Sequence, residues 1–129
     1  MARLDEFVER RRMLAERYDR ALSPLPLRSP VVLSDLVSAW HLYVIRLMLG
    51  NITKTRLQVF GELREAGIGV NLHYIPVHLQ PYYRRFGFKP GDFPQAEHFY
   101  EEAITLPLNY GLTLQDQDYV IETLARVLS

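Results

Sequence analysis

Apolar residues recur every three or four positions near both ends of the chain, which predicts two amphipathic helices. The first covers residues 2–22 and ends before Pro24. The second begins at Thr113, which with Asp116 has the spacing of a capping box. The apolar stripe of the first helix contains Leu4, Phe7, Leu14, Tyr18 and Leu22. The inner stripe of the second contains Val120, Leu124 and Val127.

Three segments between these helices have the character of strands. Residues 38–49 are rich in aromatic and branched side chains and predict a strand buried on both faces. Residues 69–75 predict a second strand by alternation, and residues 105–108 a short third one. In the second strand, Val70, Leu72 and Tyr74 should point one way and Asn71, His73 and Ile75 the other.

Caps and breakers predict three further helices. Thr53 or Thr55 should cap a helix that runs to about Ala66 and stops at Gly67. Its inward residues should be Leu57, Phe60 and Leu63. Pro81 starts a short aromatic helix closed by Gly87, residues 89–92 form a turn, and Asp92 with Pro94 opens a helix that ends near Ala103. The order of elements predicts one α+β domain, residues 1–129, with a small sheet covered by helices.

Composition narrows the class of protein. The 129 residues carry fifteen basic and fifteen acidic side chains, so charge favours neither a nucleic acid nor an anionic membrane as partner. The absence of Cys excludes disulfides, thiolate metal sites and a Cys nucleophile. No apolar run is long enough to span a membrane, and Met1–Arg12 lacks the apolar segment of a signal peptide. We therefore expect a cytoplasmic protein.

The candidate chemistry is concentrated in residues 71–83. There an Asn, a Gln, two His and three Tyr surround a strand end and a proline-rich loop. One interpretation is that His73 and His78 act in acid–base work or bond sugar hydroxyls and phosphate oxygens. The other is that they form a hydrogen-bonded edge of the core. Gln80, Tyr82 and Tyr83 either line a pocket or cover the sheet edge. A metal site is disfavoured, since no third ligand stands at a suitable spacing.

Arg46 and the run Arg10–Arg12 are the arginines considered as anion-binding residues. Arg46 lies in an apolar strand, and a buried guanidinium needs an anion; we expect an internal carboxylate rather than a ligand. The run Arg10–Arg12 is interpreted as a solvated helix face beside several glutamates rather than a phosphate site.

Residues 67–83 read Gly-Ile-Gly-Val-Asn-Leu-His-Tyr-Ile-Pro-Val-His-Leu-Gln-Pro-Tyr-Tyr, and this block closely resembles the C-terminal domain of the DegT/DnrJ/EryC1/StrS sugar aminotransferases. Further matches follow in the family's order at residues 93–97, 105–108 and 111–113, and residues 38–43 and the Arg-rich first helix agree as well. The sequence of residues 73–83 is most similar to that of the pseudaminic-acid branch of the family. The enzymes of that branch aminate C4 of a UDP-linked keto-sugar, with glutamate as amino donor. Asn109-Tyr110 departs from the family pattern and affects only a local loop.

The resemblance implies the small domain of a fold-type I enzyme dependent on pyridoxal phosphate (PLP), with a largely antiparallel sheet. It implies that the Schiff-base lysine and the phosphate-holding groups belong to a large N-terminal domain that this sequence does not contain. The two lysines, Lys54 and Lys89, stand in no matching motif and are expected to be exposed. We therefore expect no catalytic residue and no bound PLP in this chain alone, a homodimer as the full enzyme, and substrate contacts from residues of the central block. These are His73, Tyr74, His78, Gln80 and Tyr82.

Two other classes of function remain open from the sequence. The chain is alternatively a stand-alone, non-catalytic binding module that uses the aminotransferase small-domain fold. A third hypothesis is a small enzyme that depends on His73 and His78.

Overall fold

The computed structural model describes residues 3–129 as helices packed on a small sheet. The helices in this range are α1 (Leu4–Leu22), α2 (Arg56–Glu65), α3 (Pro81–Arg84), α4 (Pro94–Glu102) and α5 (Leu114–Leu128). The strands are β1 (Leu27–Arg28), β2 (Tyr43–Leu47) and β3 (Ala103–Leu106). Single 3-10 turns cover Leu49–Asn51 and Val77–Leu79. Among the helices of residues 3–129, none has the length and apolar character that a membrane span requires.

The sheet is antiparallel throughout, with β2 between β1 and β3. Its centre is the pair of buried residues Ile45 and Ile104, which lie opposite each other. Helix α2 packs against α5 and β3, α1 packs against α5, and α4 packs against β2. The predicted α+β fold, a small antiparallel sheet covered by helices, is confirmed.

Local capping chemistry sets the helix ends as predicted. The Thr55 hydroxyl accepts a hydrogen bond from the Gln58 amide (3.3 Å) while the Gln58 side chain accepts from the Thr55 amide (2.8 Å). Gly67 ends the turn after α2 with a φ of 77°, a conformation that side chains with a Cβ disfavour. The Thr113 hydroxyl accepts from the Asp116 amide at the start of α5 (3.0 Å).

The buried face of α2 is only partly the predicted one. Leu63 is buried, but the inward prediction for Leu57 is wrong, because its side chain is 74% exposed. Val59 is buried instead and lies one turn before Leu63. Residues two positions apart on a helix point about 200° apart, so burying Val59 turns Leu57 to solvent.

The first helix and the first strand also differ in detail from the expectation. Leu4 is exposed, and α1 enters the core only from Leu14 onward. The strand is limited to Tyr43–Leu47, and its residues alternate between buried and half-buried. The prediction of a strand buried on both faces over residues 38–49 is therefore wrong. Only part of the second face is covered, where α4 packs against it.

The arginines of α1 are tied to neighbouring loops more than a solvated face would suggest. Arg10 donates to the Leu112 carbonyl (2.9 Å), and Arg11 donates to the Trp40 carbonyl (3.5 Å). Arg12 pairs with Glu9 on the helix surface, as expected for mixed surface charge.

The predicted strand over residues 69–75 is absent, and a single antiparallel bridge joins Asn71 to Thr105. The two residues exchange both backbone hydrogen bonds (3.2 and 2.8 Å). Beyond this bridge, the Asn71 side chain accepts a hydrogen bond from the Leu72 amide (2.8 Å). A side chain that satisfies a local backbone donor competes with a strand ladder, so the chain leaves the sheet here.

Candidate functional site

His73 is held against the sheet edge by one ring nitrogen. Its Nδ1 lies 2.8 Å from the hydroxyl of Thr105, which is buried on β3. Its ring meets the ring of Tyr74 edge to face at 4.5 Å, and the Tyr74 side chain is 69% exposed. Within residues 3–129, no protein group forms a hydrogen bond with the His73 Nε2. The rings of His73 and Tyr74 are therefore in contact, with Tyr74 exposed and His73 held by Thr105.

His78 is placed differently, because it is 6% exposed and its Nε2 lies 2.8 Å from the Glu97 carboxylate. The carboxylate of Glu97 also accepts hydrogen bonds from the backbone amides of Gly91 (2.8 and 2.9 Å) and Phe93 (3.3 Å). The Gly91 amide, then the His78 side chain and the Phe93 amide, lower the pKa of Glu97, since each stabilises the carboxylate. His78 thus belongs to an internal polar cluster that joins the 77–79 turn to α4.

An apolar cleft of about 400 Å³ lies beside His78. It is lined by Val77, His78, Tyr83, Phe88, Phe93 and Ala96. The rings of His78 and Phe93 are 4.8 Å apart, and those of Phe88 and Phe93 are 5.9 Å apart. The His78 ring thus forms part of the cleft wall, while its Nε2 is bound to Glu97.

Gln80 and Tyr82 lie at the start of α3. The Gln80 carbonyl accepts hydrogen bonds from the amides of Tyr83 (3.0 Å) and Arg84 (3.1 Å), so the Gln80 backbone starts the helix. The Tyr82 side chain is 57% exposed and contacts the Phe86 ring at 5.4 Å. Of the five predicted contact residues, two have rings in contact, His73 and Tyr74. Gln80 and Tyr82 lie at the start of α3, and His78 is buried.

Arg46 has an internal carboxylate as its anion partner, as expected. Its Nε and Nη2 donate to the buried side chain of Glu102 on α4 at 2.9 and 2.8 Å. Glu102 is approached further by Arg28 (3.8 Å) and His98 (3.0 Å). These contacts tie α4 to β1 and β2 and leave Arg46 with a structural role.

Neither lysine suits the covalent attachment of PLP, which needs an amine free to react in a pocket that also holds the phosphate. Lys54 is half-buried, contrary to the expectation, and donates to Glu62 (2.8 Å) and to the Val127 carbonyl (2.9 Å). Lys89 lies in an exposed turn, as expected. Within residues 3–129, the Lys54 amine is thus held by internal partners, and Lys89 is a surface residue. Within residues 3–129, no group of three His, Cys, Asp or Glu side chains is placed to hold a metal ion.

A family model for the DegT/DnrJ/EryC1/StrS aminotransferases matches residues 1–125. The chain belongs to this family. It is 38% identical to the spore coat polysaccharide biosynthesis protein SpsC of Bacillus subtilis (strain 168), a match that covers 99% of the chain and 34% of SpsC. The fold is similar to that of Spr1654 from Streptococcus pneumoniae, assigned as a sugar aminotransferase and solved in PLP and PMP forms. For the PMP form the TM-score is 0.90 at 33% identity, over 98% of this chain and 32% of that one.

The aminotransferase PseC of Helicobacter pylori, which is involved in the biosynthesis of pseudoaminic acid, also matches. Its TM-score is 0.85 at 25% identity, over 96% of this chain and 33% of PseC. The chain thus spans about a third of the length of the relatives that it matches. The family and the sugar aminotransferase relationship predicted from the sequence are confirmed. The identity with PseC is below that with SpsC and Spr1654.

Two residues that organise the site were not picked out as site residues from the sequence: Thr105, which holds His73, and Glu97, which holds His78. Glu97 stands four positions after Phe93, in the first turn of α4, where a carboxylate commonly accepts backbone amides. That position was a usable signal. Thr105 gave no such signal, since its partner is 32 residues away in the chain.

Proposed function

We propose that this chain is the C-terminal small domain of a PLP-dependent aminotransferase that transfers an amino group to a nucleotide-linked keto-sugar. Membership of the sugar aminotransferase family along residues 1–125 carries the proposal. The two lysines support the second half of it: since neither suits PLP attachment, the cofactor would be held by a separate PLP-binding domain, and this chain alone would not transaminate. Its own contribution is to shape and close the sugar pocket.

His73 and Tyr74 are the residues that we assign to substrate contact. Thr105 fixes the His73 ring through Nδ1, and Nε2 can then form a hydrogen bond with a sugar hydroxyl. The neighbouring Tyr74 hydroxyl is exposed and can act as donor or acceptor to the same ligand. A fixed ring next to an exposed phenol matches the need to orient a polar sugar.

His78 is assigned a positioning role, because its side chain is buried against Glu97 rather than exposed to a ligand. By joining the 77–79 turn to α4, it would set the direction in which Tyr74 and α3 leave the domain. Gln80 contributes through its backbone at the start of α3, and Tyr82 through its exposed ring.

Partners of this domain follow from its exposed apolar surface. Large apolar side chains are exposed in two stretches, residues 31–37 and 74–93, and such patches mark interaction surfaces. The first contains Val31, Leu33, Leu36 and Val37. We propose that the PLP-binding domain and the second subunit of a homodimer cover these stretches in a cytoplasmic enzyme. The sugar is proposed only as a UDP-linked 4-keto-6-deoxy type, with the pseudaminic-acid substrate as one member of that class.

A chimera tests this function directly. The matching third of H. pylori PseC would be replaced by this chain, and the chimera assayed with PLP, glutamate and a UDP-linked 4-keto-sugar. We expect the chimera to transaminate and this chain alone to show no turnover. His73→Ala in the chimera should raise the KM for the UDP-linked sugar about tenfold, the range for loss of one hydrogen bond to a ligand. His41→Ala, at an exposed histidine outside the block, serves as the control.

Each alternative function has its own signature in this experiment. Turnover by the chain alone, without PLP and lost on His78→Ala, would identify a small histidine-dependent enzyme and overturn the proposal. A chimera that binds PLP but aminates no keto-sugar would favour a stand-alone binding module.

A further inference from the structure

Acidic residues are missing from one stretch of an otherwise balanced chain, which leaves that stretch with a net positive charge. Residues 66–91 contain no Asp or Glu, although the whole sequence has fifteen. The same stretch contains Arg84, Arg85 and Lys89, interleaved with aromatic residues. Every residue from 81 to 96 is exposed. We call the set Tyr82, Arg84, Arg85, Phe86 and Lys89 the α3 surface.

The α3 surface combines a guanidinium with flanking rings. The Arg85 guanidinium carbon lies 4.7 Å from the centroid of the Tyr82 ring, and Tyr82 contacts Phe86 edge to face at 5.4 Å. The Phe86 ring is 65% exposed. A guanidinium resting on a ring is pre-oriented and keeps its N–H donors available for an anion.

Within residues 3–129, some basic residues are paired with a carboxylate, whereas these three cations, like Arg64 and Arg126, are not. Arg17 pairs with Asp118, and Arg46 pairs with Glu102. Across residues 3–129, none of Arg84, Arg85 and Lys89 forms an ion pair with a carboxylate. The nearby carboxylates of Asp92 and Glu97 accept backbone amides instead.

We propose that the α3 surface binds the nucleoside diphosphate part of the substrate, with Arg84, Arg85 and Lys89 on the two phosphates and the exposed rings beside the base. The inference rests on the proposed function for the presence of a nucleotide-linked substrate. Arginine is suited to phosphate oxygens, and aromatic rings stack on any base. Three cations match a diphosphate, whereas proteins that bind a nucleic acid typically neutralise about 6–10 phosphates.

Nuclear magnetic resonance of the 129-residue chain, titrated separately with UDP, inorganic pyrophosphate and uridine, tests this assignment. We expect saturable shifts of the amides of residues 82–89 with UDP, weaker shifts with pyrophosphate, and the weakest with uridine. The double variant R84Q/R85Q should weaken UDP binding at least tenfold, and R84K/R85K should retain most of it. The control double variant R64Q/R126Q removes the same charge from exposed positions on α2 and α5 and should change binding less than twofold.

Three binding results would overturn the assignment. One is the absence of UDP-induced shifts in residues 82–89. Another is an equal weakening of UDP binding by R84Q/R85Q and by the control R64Q/R126Q. The third is binding of a DNA or RNA oligomer at the same residues in preference to UDP, which would indicate a polyanion surface. The PseC chimera and its R84Q/R85Q variant separate this inference from the proposed function. If both transaminate with the same KM for the UDP-sugar, this inference is refuted and the proposed function stands. Specific UDP binding by this chain, together with an inactive PseC chimera, would refute the proposed function and leave this inference intact.

Discussion

His78 Nε2 and Glu97 Oε1 lie 2.8 Å apart and connect the turn before α3 to the first turn of α4. Because the same carboxylate accepts the amides of Gly91 and Phe93, one side chain holds three separate positions of the 77–97 segment. The exposed α3 is thereby closed into a loop whose two ends are tied at a single point. The orientation of the proposed substrate-facing residues depends on that point.

The Glu97 carboxylate makes this loop sensitive to acid. The Gly91 amide is the largest contribution that holds the pKa of Glu97 below its usual value of 4.5, and the His78 side chain adds to it. A depressed folded-state pKa means that the contribution to stability is fully present above about pH 4.5 and is lost as pH falls through the folded-state pKa. We expect the Gly91 amide resonance to follow this transition in a titration from pH 6 to about pH 2. E97Q should abolish the transition and E101Q should leave it unchanged; persistence in E97Q would refute the assignment.

Removing the buried carboxylate of α4 should destabilise the fold. E102A leaves the guanidinium of Arg46 without its partner, and we expect a loss of about 2–4 kcal/mol in the free energy of unfolding. The neighbouring exposed carboxylate supplies the control, since E101A should cost less than about 0.5 kcal/mol. Urea denaturation at neutral pH measures both values. Equal effects of the two variants would show that the Arg46–Glu102 pair adds little.

Two leucines on α2 provide a test of the observed burial. Leu63 is fully buried and Leu57 is 74% exposed. L63A should lower the free energy of unfolding by about 2–5 kcal/mol, the range for a leucine deleted from a core. L57A should change it by less than about 0.5 kcal/mol in the isolated chain. A large loss from L57A would mean that another surface covers this face in solution.

The two lysines should react differently with added PLP followed by borohydride reduction. Lys54 is held by Glu62 and the Val127 carbonyl, whereas Lys89 lies in an exposed turn. We expect slow, sub-stoichiometric labelling with more modification at Lys89 than at Lys54, measured by peptide mass spectrometry. Saturable one-to-one labelling of a single lysine would contradict the placement of the PLP site outside this chain.

The helices were predictable because their signals are local. The Thr55 and Thr113 caps and the stop at Gly67 each involve residues within a few positions of one another, so the sequence alone specifies them. The exposure of Leu57 was not predictable in this way. Which apolar residues of a short helix face inward depends on where α5 and β3 lie, and that information is not local.

The candidate site likewise combines features with local signals in the sequence and features that depend on distant contacts. The concentration of polar and aromatic residues selected residues 71–83, and the resemblance to the family implies substrate contacts in the same region. The alternation of residues 69–75, however, predicted a strand that the Asn71 side chain interrupts. The separate environments of His73 and His78 depend on Thr105 and Glu97, which are 32 and 19 residues away. Periodicity within a segment cannot supply contacts at that distance.

The single bridge between Asn71 and Thr105 has a consequence for the solubility of the chain. β3 is the edge strand of the sheet, and these two hydrogen bonds join its outer side to residue 71. The neighbouring Val70 is buried. An uncovered edge strand offers its free amides and carbonyls to any other extended chain. If residues 70–72 were detached, β3 would present the apolar sequence Ala-Ile-Thr-Leu to neighbouring molecules, and edge-to-edge aggregation would start there.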